Sequence, residues 1–323
     1  MIALLLLPLA LPWALAPLGR AALARMRPEQ ALWTLTAATA VLAAGVVSCL
    51  GALLLPLALA FAPVAALAHL IQPPRFGPDA VTLGVSTPAT GFLALATVGL
   101  VRGTVREVGR LRSVHARVSR LPHAGGLCVL EDSRPDAYAL PGVRRGSARI
   151  VVTTGMLRSL GAAEREALLA HERTHLRARH HLFLATAQLA GRCHPALVPV
   201  VAQVSYAAER AADEGAARST GSRTLTARAI GRAALATTRS LRQPSSAGDL
   251  GQPPPCALTA GATTGPVPAR VKELLTQRTT HRIAAPLLAL ALLCLTAGTS
   301  ALSGAVLLHH EVEVAQGEHP FTR

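Results

Sequence analysis

The residues best equipped to do chemistry lie between Ala163 and Leu182, where His171-Glu172-Arg173-Thr174-His175 spells HExxH. On a helix this spacing sets His171 and His175 on one face, one turn apart, so that both imidazoles reach a single zinc ion. Glu172 then stands beside the metal, where a general base takes a proton from the attacking water. Histidine and glutamate on an Arg-rich helix are commonly no more than a solvated face. Two features weigh against that here. Ala167, Leu168, Ala170 and Leu176 give the helix an apolar side, so the histidines emerge from a packed element. Downstream, Tyr206 to Asp213 reads as a second helix on which Glu209 and Asp213, four apart, share a face and offer a third ligand.

The elements that must position these residues follow from composition. The chain has 323 residues, 51% of them hydrophobic, and the apolar residues concentrate in long uncharged runs. That distribution points to an integral membrane protein. The segment from Arg102 to Arg282 holds the whole of the formal net charge of +15. A nucleic-acid-binding surface would interleave such charge with aromatic stacking residues, and these are missing, so no direct nucleic acid binding is expected. Retention of the positive segment on the cytoplasmic side of a membrane accounts for the charge. The five cysteines form no CxxC pair and their number is odd, which argues against a disulfide framework or a thiolate zinc site.

Along the chain, Met1 to Leu18 is apolar and is followed, not preceded, by Arg20, Arg25 and Arg27. This is the order of a transmembrane helix with its N-terminus outside, not of a signal peptide. Ala31 to Ile71 is uncharged. One crossing over residues 34–58, continued by an interfacial stretch at 63–71, is the preferred reading, with two crossings as the alternative. Gln72 to Ser86 is a Pro-containing outer connection, and Ala80 to Val101 a third crossing. Arg102 to Arg120 reads as a juxtamembrane helix. Gly126 to Glu131 and, after a turn at Pro141-Gly142, Ala148 to Thr154 read as strands. After the motif helix, Leu182 to Val204 is expected to form a core helix pair. Ser222 to Arg242 is an amphipathic helix, Gln243 to Pro268 a loop and Arg270 to Arg282 a short basic helix. Ile283 to Leu308 makes the last crossing.

The order of these features resembles the membrane-bound zinc metallopeptidases of the BlaR/MecR antibiotic-receptor type, related to the HtpX class of membrane proteases. The residues that carry the likeness are Asp136-Ala137-Tyr138-Ala139-Leu140-Pro141-Gly142, Ile150-Val151-Val152-Thr153-Thr154-Gly155, HExxH, and the ExxxD of Glu209 and Asp213. The resemblance implies one zinc ion held by His171, His175 and Glu209, with Glu172 as general base. It places Asp213 behind a ligand histidine, fixing its tautomer. It also implies a substrate edge along Ile150, Val151, Val152 and Thr153, where an extended peptide pairs through its backbone. An oxyanion donor is expected among Tyr206, His194 and Arg270. His180 and His181 are expected to be solvated or structural.

The fold class expected is therefore a mainly α membrane protein: about four transmembrane helices, with a cytoplasmic α+β zincin-like metallopeptidase domain between the third and fourth. Its parts are an N-terminal membrane region (1–101), the cytoplasmic zinc metallopeptidase domain (102–282), the last transmembrane helix (283–308) and a short extracytoplasmic tail (309–323). That tail has no room for the penicillin-binding sensor domain of the antibiotic receptors. The expected activity is zinc-dependent endopeptidase cleavage of a protein substrate, by family resemblance a winged-helix transcriptional repressor or another regulatory protein. The expected location is a cell membrane bilayer. The competing reading is a non-proteolytic signalling scaffold that keeps the peptidase fold, which predicts a damaged metal set where this one is intact.

Overall fold

The computed structural model describes residues 7–59, 79–118, 122–142, 147–242, 260–261, 266–276 and 284–315. Three helices lead: α1 (Pro12–Arg25), α2 (Pro28–Leu59) and α3 (Asp79–Val118). A small sheet follows, with β1 (His123–Ala124), β2 (Leu127–Leu130), β3 (Ala137–Leu140) and β4 (Arg149–Thr153). Next come α4 (Thr154–Ser159), α5 (Ala162–Arg177), α6 (His180–Cys193), a 3-10 turn at Pro195–Leu197, α7 (Val198–Thr220) and α8 (Arg223–Arg242). The described chain closes with β5 (Ala260–Gly261), α9 (Val267–Leu275) and α10 (Ala284–Ala315).

Within the described residues one segment, Pro28–Gly51 in α2, is both long and apolar enough to cross a membrane, and Ala284–Ser300 in α10 is a shorter apolar helix. The uncharged run beginning at Ala31 forms a single helix as far as Leu59, and its continuation to Ile71 lies outside the described residues. The run expected as a third crossing does not stop at Val101. It continues without a break through the arginines to Val118, so one 40-residue helix joins the apolar segment to the sheet.

Side chains along each strand alternate between the two faces of the sheet, and in β4 both faces are covered, so Ile150 to Thr153 are all buried. In β4, Val151 packs with Val114 and Val118 of α3, while its neighbour Val152 packs with Met156, Leu168 and Ala233 on the opposite face. The sheet is thus sandwiched between α3 on one side and α5 and α8 on the other. Strand order is β1-β2-β4-β3-β5, with β2 and β4 parallel and the other neighbours antiparallel. Gly125 and Gly126, both at positive φ (58° and 85°), make the two-residue turn between β1 and β2.

This topology corrects the expected substrate edge. Ile150, Val151, Val152 and Thr153 belong to β4, which is hydrogen-bonded to β2 on one side and β3 on the other. A strand paired on both sides has no free backbone groups to offer a peptide. Thr153 is further committed: its hydroxyl donates to Arg134 O at 2.7 Å, and it accepts from the N–H of Asp136 and, as the cap of α4, from that of Met156.

The expected separation between a membrane region and a catalytic domain is not what packing shows. Leu15 of α1, Leu35 of α2, Phe183 of α6, Val200 and Val204 of α7 and Leu290 of α10 belong to one buried cluster. The apolar half of α7 therefore packs against α1, α2 and α6, while its polar half runs on toward the motif helix.

Candidate metal centre

Helix α5 begins at Gly161, whose N–H donates to the Glu164 carboxylate at 2.9 Å, satisfying one of the orphan donors near the helix start. Glu164 in turn accepts from Arg232 at 2.8 Å and sits 3.0 Å from Arg228, both on α8, so α5 is pinned from behind. Burial works against its charge, but the Gly161 N–H and the two guanidiniums outweigh it and hold the carboxyl below its ordinary range. Helices α5 and α7 approach closely where Gly215 meets Thr174: a Cβ on Gly215 would lie 2.5 Å from the threonine methyl. That contact brings the faces of the two helices that carry the polar residues within ligand distance.

His171 and His175 are buried, and their Nε2 atoms are 3.1 Å apart. Glu209 Oε2 lies 3.5 Å from His171 Nε2, and Oε1 lies 3.6 Å from His175 Nε2. A tetrahedral ion with bonds of about 2.0–2.1 Å places neighbouring ligand atoms about 3.3–3.4 Å apart. The triangle therefore has the dimensions of a three-ligand site, and its donor set of two imidazoles and one carboxylate suits zinc. Glu172, one residue from His171, is fully buried on the same helix.

Behind the triangle stands a buried ionic layer. Asp213 Oδ1 lies 3.0 Å from His171 Nδ1, an ion-pair approach that departs from hydrogen-bond alignment. Arg270, fully buried on α9, donates to both Asp213 oxygens, Nε at 2.8 Å and Nη2 at 2.6 Å, and its Nη1 is 2.8 Å from Glu209 Oε2. The sequence-predicted ligand set and Asp213 are thus brought together, and Arg270 joins them, holding two carboxylates side by side. Helix α9 is itself fastened by Arg223, which donates to Leu274 O at 2.9 Å and pairs with Glu214. Arg210, next to Glu209, donates to Leu23 O of α1 at 2.8 Å and reaches Glu273 of α9 at 3.3 Å.

The two other residues considered as oxyanion donors are placed differently. His194 accepts at Nδ1 from the Ala196 N–H, and its ring contacts are with Trp13 and Phe92. Tyr206 is half-buried beneath the Arg210 guanidinium, 5.7 Å from ring centroid to Cζ.

The electrostatics of the two ligand histidines are opposite. Burial disfavours charge on His171, but the Asp213 and Glu209 carboxylates outweigh it and push its pKa up to about 9. Burial, reinforced by His171 and His180, drives His175 well below the ordinary histidine range. For Asp213, burial is overcome by the hydrogen bonds from Arg270 and by the closeness of His171, and its pKa falls. His180 is buried, and its Nδ1 lies 3.0 Å from His175 Nδ1, a contact that helical spacing conceals.

Residues 104–198 match the model of Peptidase family M48. The matched region runs from within α3 through β1 to β4 and takes in His171, Glu172 and His175, ending at the start of α7 before Glu209. M48 is a zinc metallopeptidase family, in agreement with the triangle of donors. The match is to the family at large, and the BlaR/MecR type lies beyond it. No curated protein and no solved structure matches the chain.

Proposed function

We propose that the protein is a membrane-embedded zinc endopeptidase that hydrolyses peptide bonds in a cytoplasmic or membrane-associated protein. The observation that carries this reading is the meeting of His171, His175 and Glu209 at metal-ligand separations, with Glu172 buried next to His171 on the same helix. Bound zinc would polarise the scissile carbonyl and bring the pKa of water to about 7. Glu172 takes the proton from the attacking water and returns it to the leaving nitrogen. Asp213 orients His171, and Arg270 keeps Asp213 ionised and holds Glu209 and Asp213 in place.

In this reading four crossings, over residues 1–18, in α2, in the first half of α3 and in α10, leave the N-terminus outside and the positive segment in the cytoplasm. Exposed Leu95, Val98, Leu288, Leu292 and Leu295 on α3 and α10 support contact of these helices with lipid. A winged-helix repressor is the substrate class that the receptor resemblance favours. Full-length protein purified in detergent should carry about one zinc per chain and cleave itself or a candidate repressor. Unchanged cleavage by Glu172→Gln would refute the mechanism.

A further inference from the structure

An imidazole that ligates through one nitrogen is held in orientation by a partner on the other. Asp213 fills that place behind His171. HExxH offers no partner for His175. In an unbroken helix His180 would lie about 140° around the axis from His175 and about 7.5 Å further along, out of reach.

The chain avoids this by breaking at that point. Helix α5 ends at Arg177, α6 starts at His180, and Arg179 between them is left-handed, with φ 52° and ψ 43°. It is the one non-glycine residue at positive φ among the described residues. Such a conformation costs an L-residue about 1–2 kcal/mol. The reversal returns His180 to the motif: its ring meets His175 edge to face, centroids 4.8 Å apart, with the two Nδ1 atoms at 3.0 Å. At 3.0 Å one nitrogen must donate and the other accept. Only one assignment leaves His175 Nε2 bare toward Glu209 and His171, namely His175 Nδ1–H donating to the lone pair of His180 Nδ1.

We propose that His180 is a positioning residue of the metal centre: by accepting from His175 Nδ1–H it fixes the tautomer and orientation of that ligand, as Asp213 does for His171. This rests on the metal-site reading above and deepens it. The two ligands are then supported unequally, one by a carboxylate and one by a neutral imidazole. The left-handed Arg179 is the backbone device that makes the second support available.

The test uses full-length protein in detergent, with cobalt(II) as the probe. His180→Phe keeps an aromatic ring and removes the acceptor. Its cobalt affinity should fall about 10–100-fold, with a change in the visible cobalt absorption bands, and His180→Asn should restore most of both. Nitrogen chemical shifts of the His175 ring in zinc-loaded wild type, which need no variant, should show a protonated Nδ1. Wild-type affinity and spectrum in His180→Phe, or zinc carried on Nδ1 of His175, would overturn the proposal while leaving the metal site standing. Wild-type protein that takes up no cobalt or zinc would overturn the metal reading and this proposal together.

Discussion

The buried ionic layer gives the sharpest quantitative expectation, and Arg270 is the residue to perturb. Its guanidinium is fully buried and makes three contacts of 2.6–2.8 Å, two to Asp213 and one to Glu209. Arg270→Met leaves both carboxylates buried beside Glu172 with that counter-charge gone. Removing one partner of a buried ion pair costs about 3–5 kcal/mol, chiefly the penalty of the stranded charge. With an unfolding entropy of about 2.1 cal/mol/K per residue, each kcal/mol is worth about 1.5 °C in a chain this long, so the metal-free protein should melt about 4–7 °C lower. Arg270→Lys restores a charge but not the planar fork that spans two carboxylates, and should recover only part of the loss. Thermal melts of the metal-free full chain, followed by circular dichroism, supply the assay. The double variant Arg270→Met with Asp213→Asn removes the stranded charge along with its partner. It should be less destabilised than the sum of the single variants by about 0.5–3 kcal/mol. Strict additivity, or an Arg270→Met melt within about 2 °C of wild type, would refute the idea that the layer is held by charge.

The other expectations follow from the same geometry. Asp213→Asn should weaken zinc about 10–100-fold in competition with a chelator, because it loosens His171 from behind. Gly215→Val, which drives a side chain into Thr174, should cost about 1–3 kcal/mol and also weaken metal binding, since it pushes α5 from α7 and so His175 from Glu209. A comparable loss at a glycine remote from the α5–α7 contact would remove that explanation. Glu164 should stabilise α5 in a pH-dependent way. Its folded pKa lies below the ordinary 4.5, so its contribution is fully present above that value and is lost as pH falls through the folded pKa. The melting difference between wild type and Glu164→Gln should therefore be largest at neutral pH and shrink below about pH 4; a difference constant with pH would contradict the ion-pair origin.

Much of this molecule is legible in local sequence. Helical periodicity marks α5, α7 and α8, and the β-branched run at β4 marks a strand, because each of these patterns reflects contacts within a turn or a pleat. HExxH names two ligands and a base for the same reason: residues one turn apart on a helix meet whatever the rest of the chain does. Glu209 and Asp213 were visible as a pair, but which of them faces the metal and which stands behind His171 depends on how α7 lies across α5. The sheet's register was equally out of reach. A strand's sequence reports that it is buried, and β4 is, but not which neighbours lie beside it, so Ile150 to Thr153, expected at an edge, lie inside the sheet between β2 and β3.

What only the tertiary structure decided are the contacts that sequence distance or a broken period hides. Arg270 reaches Asp213 across 57 residues because α9 folds back against α7 and α8. His180 reaches His175 because one left-handed residue undoes the helical phase on which any pattern search relies. The apolar helices at both ends of the chain proved to share a core with α6 and α7, since burying apolar surface is indifferent to the domain boundary that charge and hydropathy draw. The sequence by itself determined which side chains can bind a metal and move a proton. The fold determined which of them are held rigid, by what, and from which side.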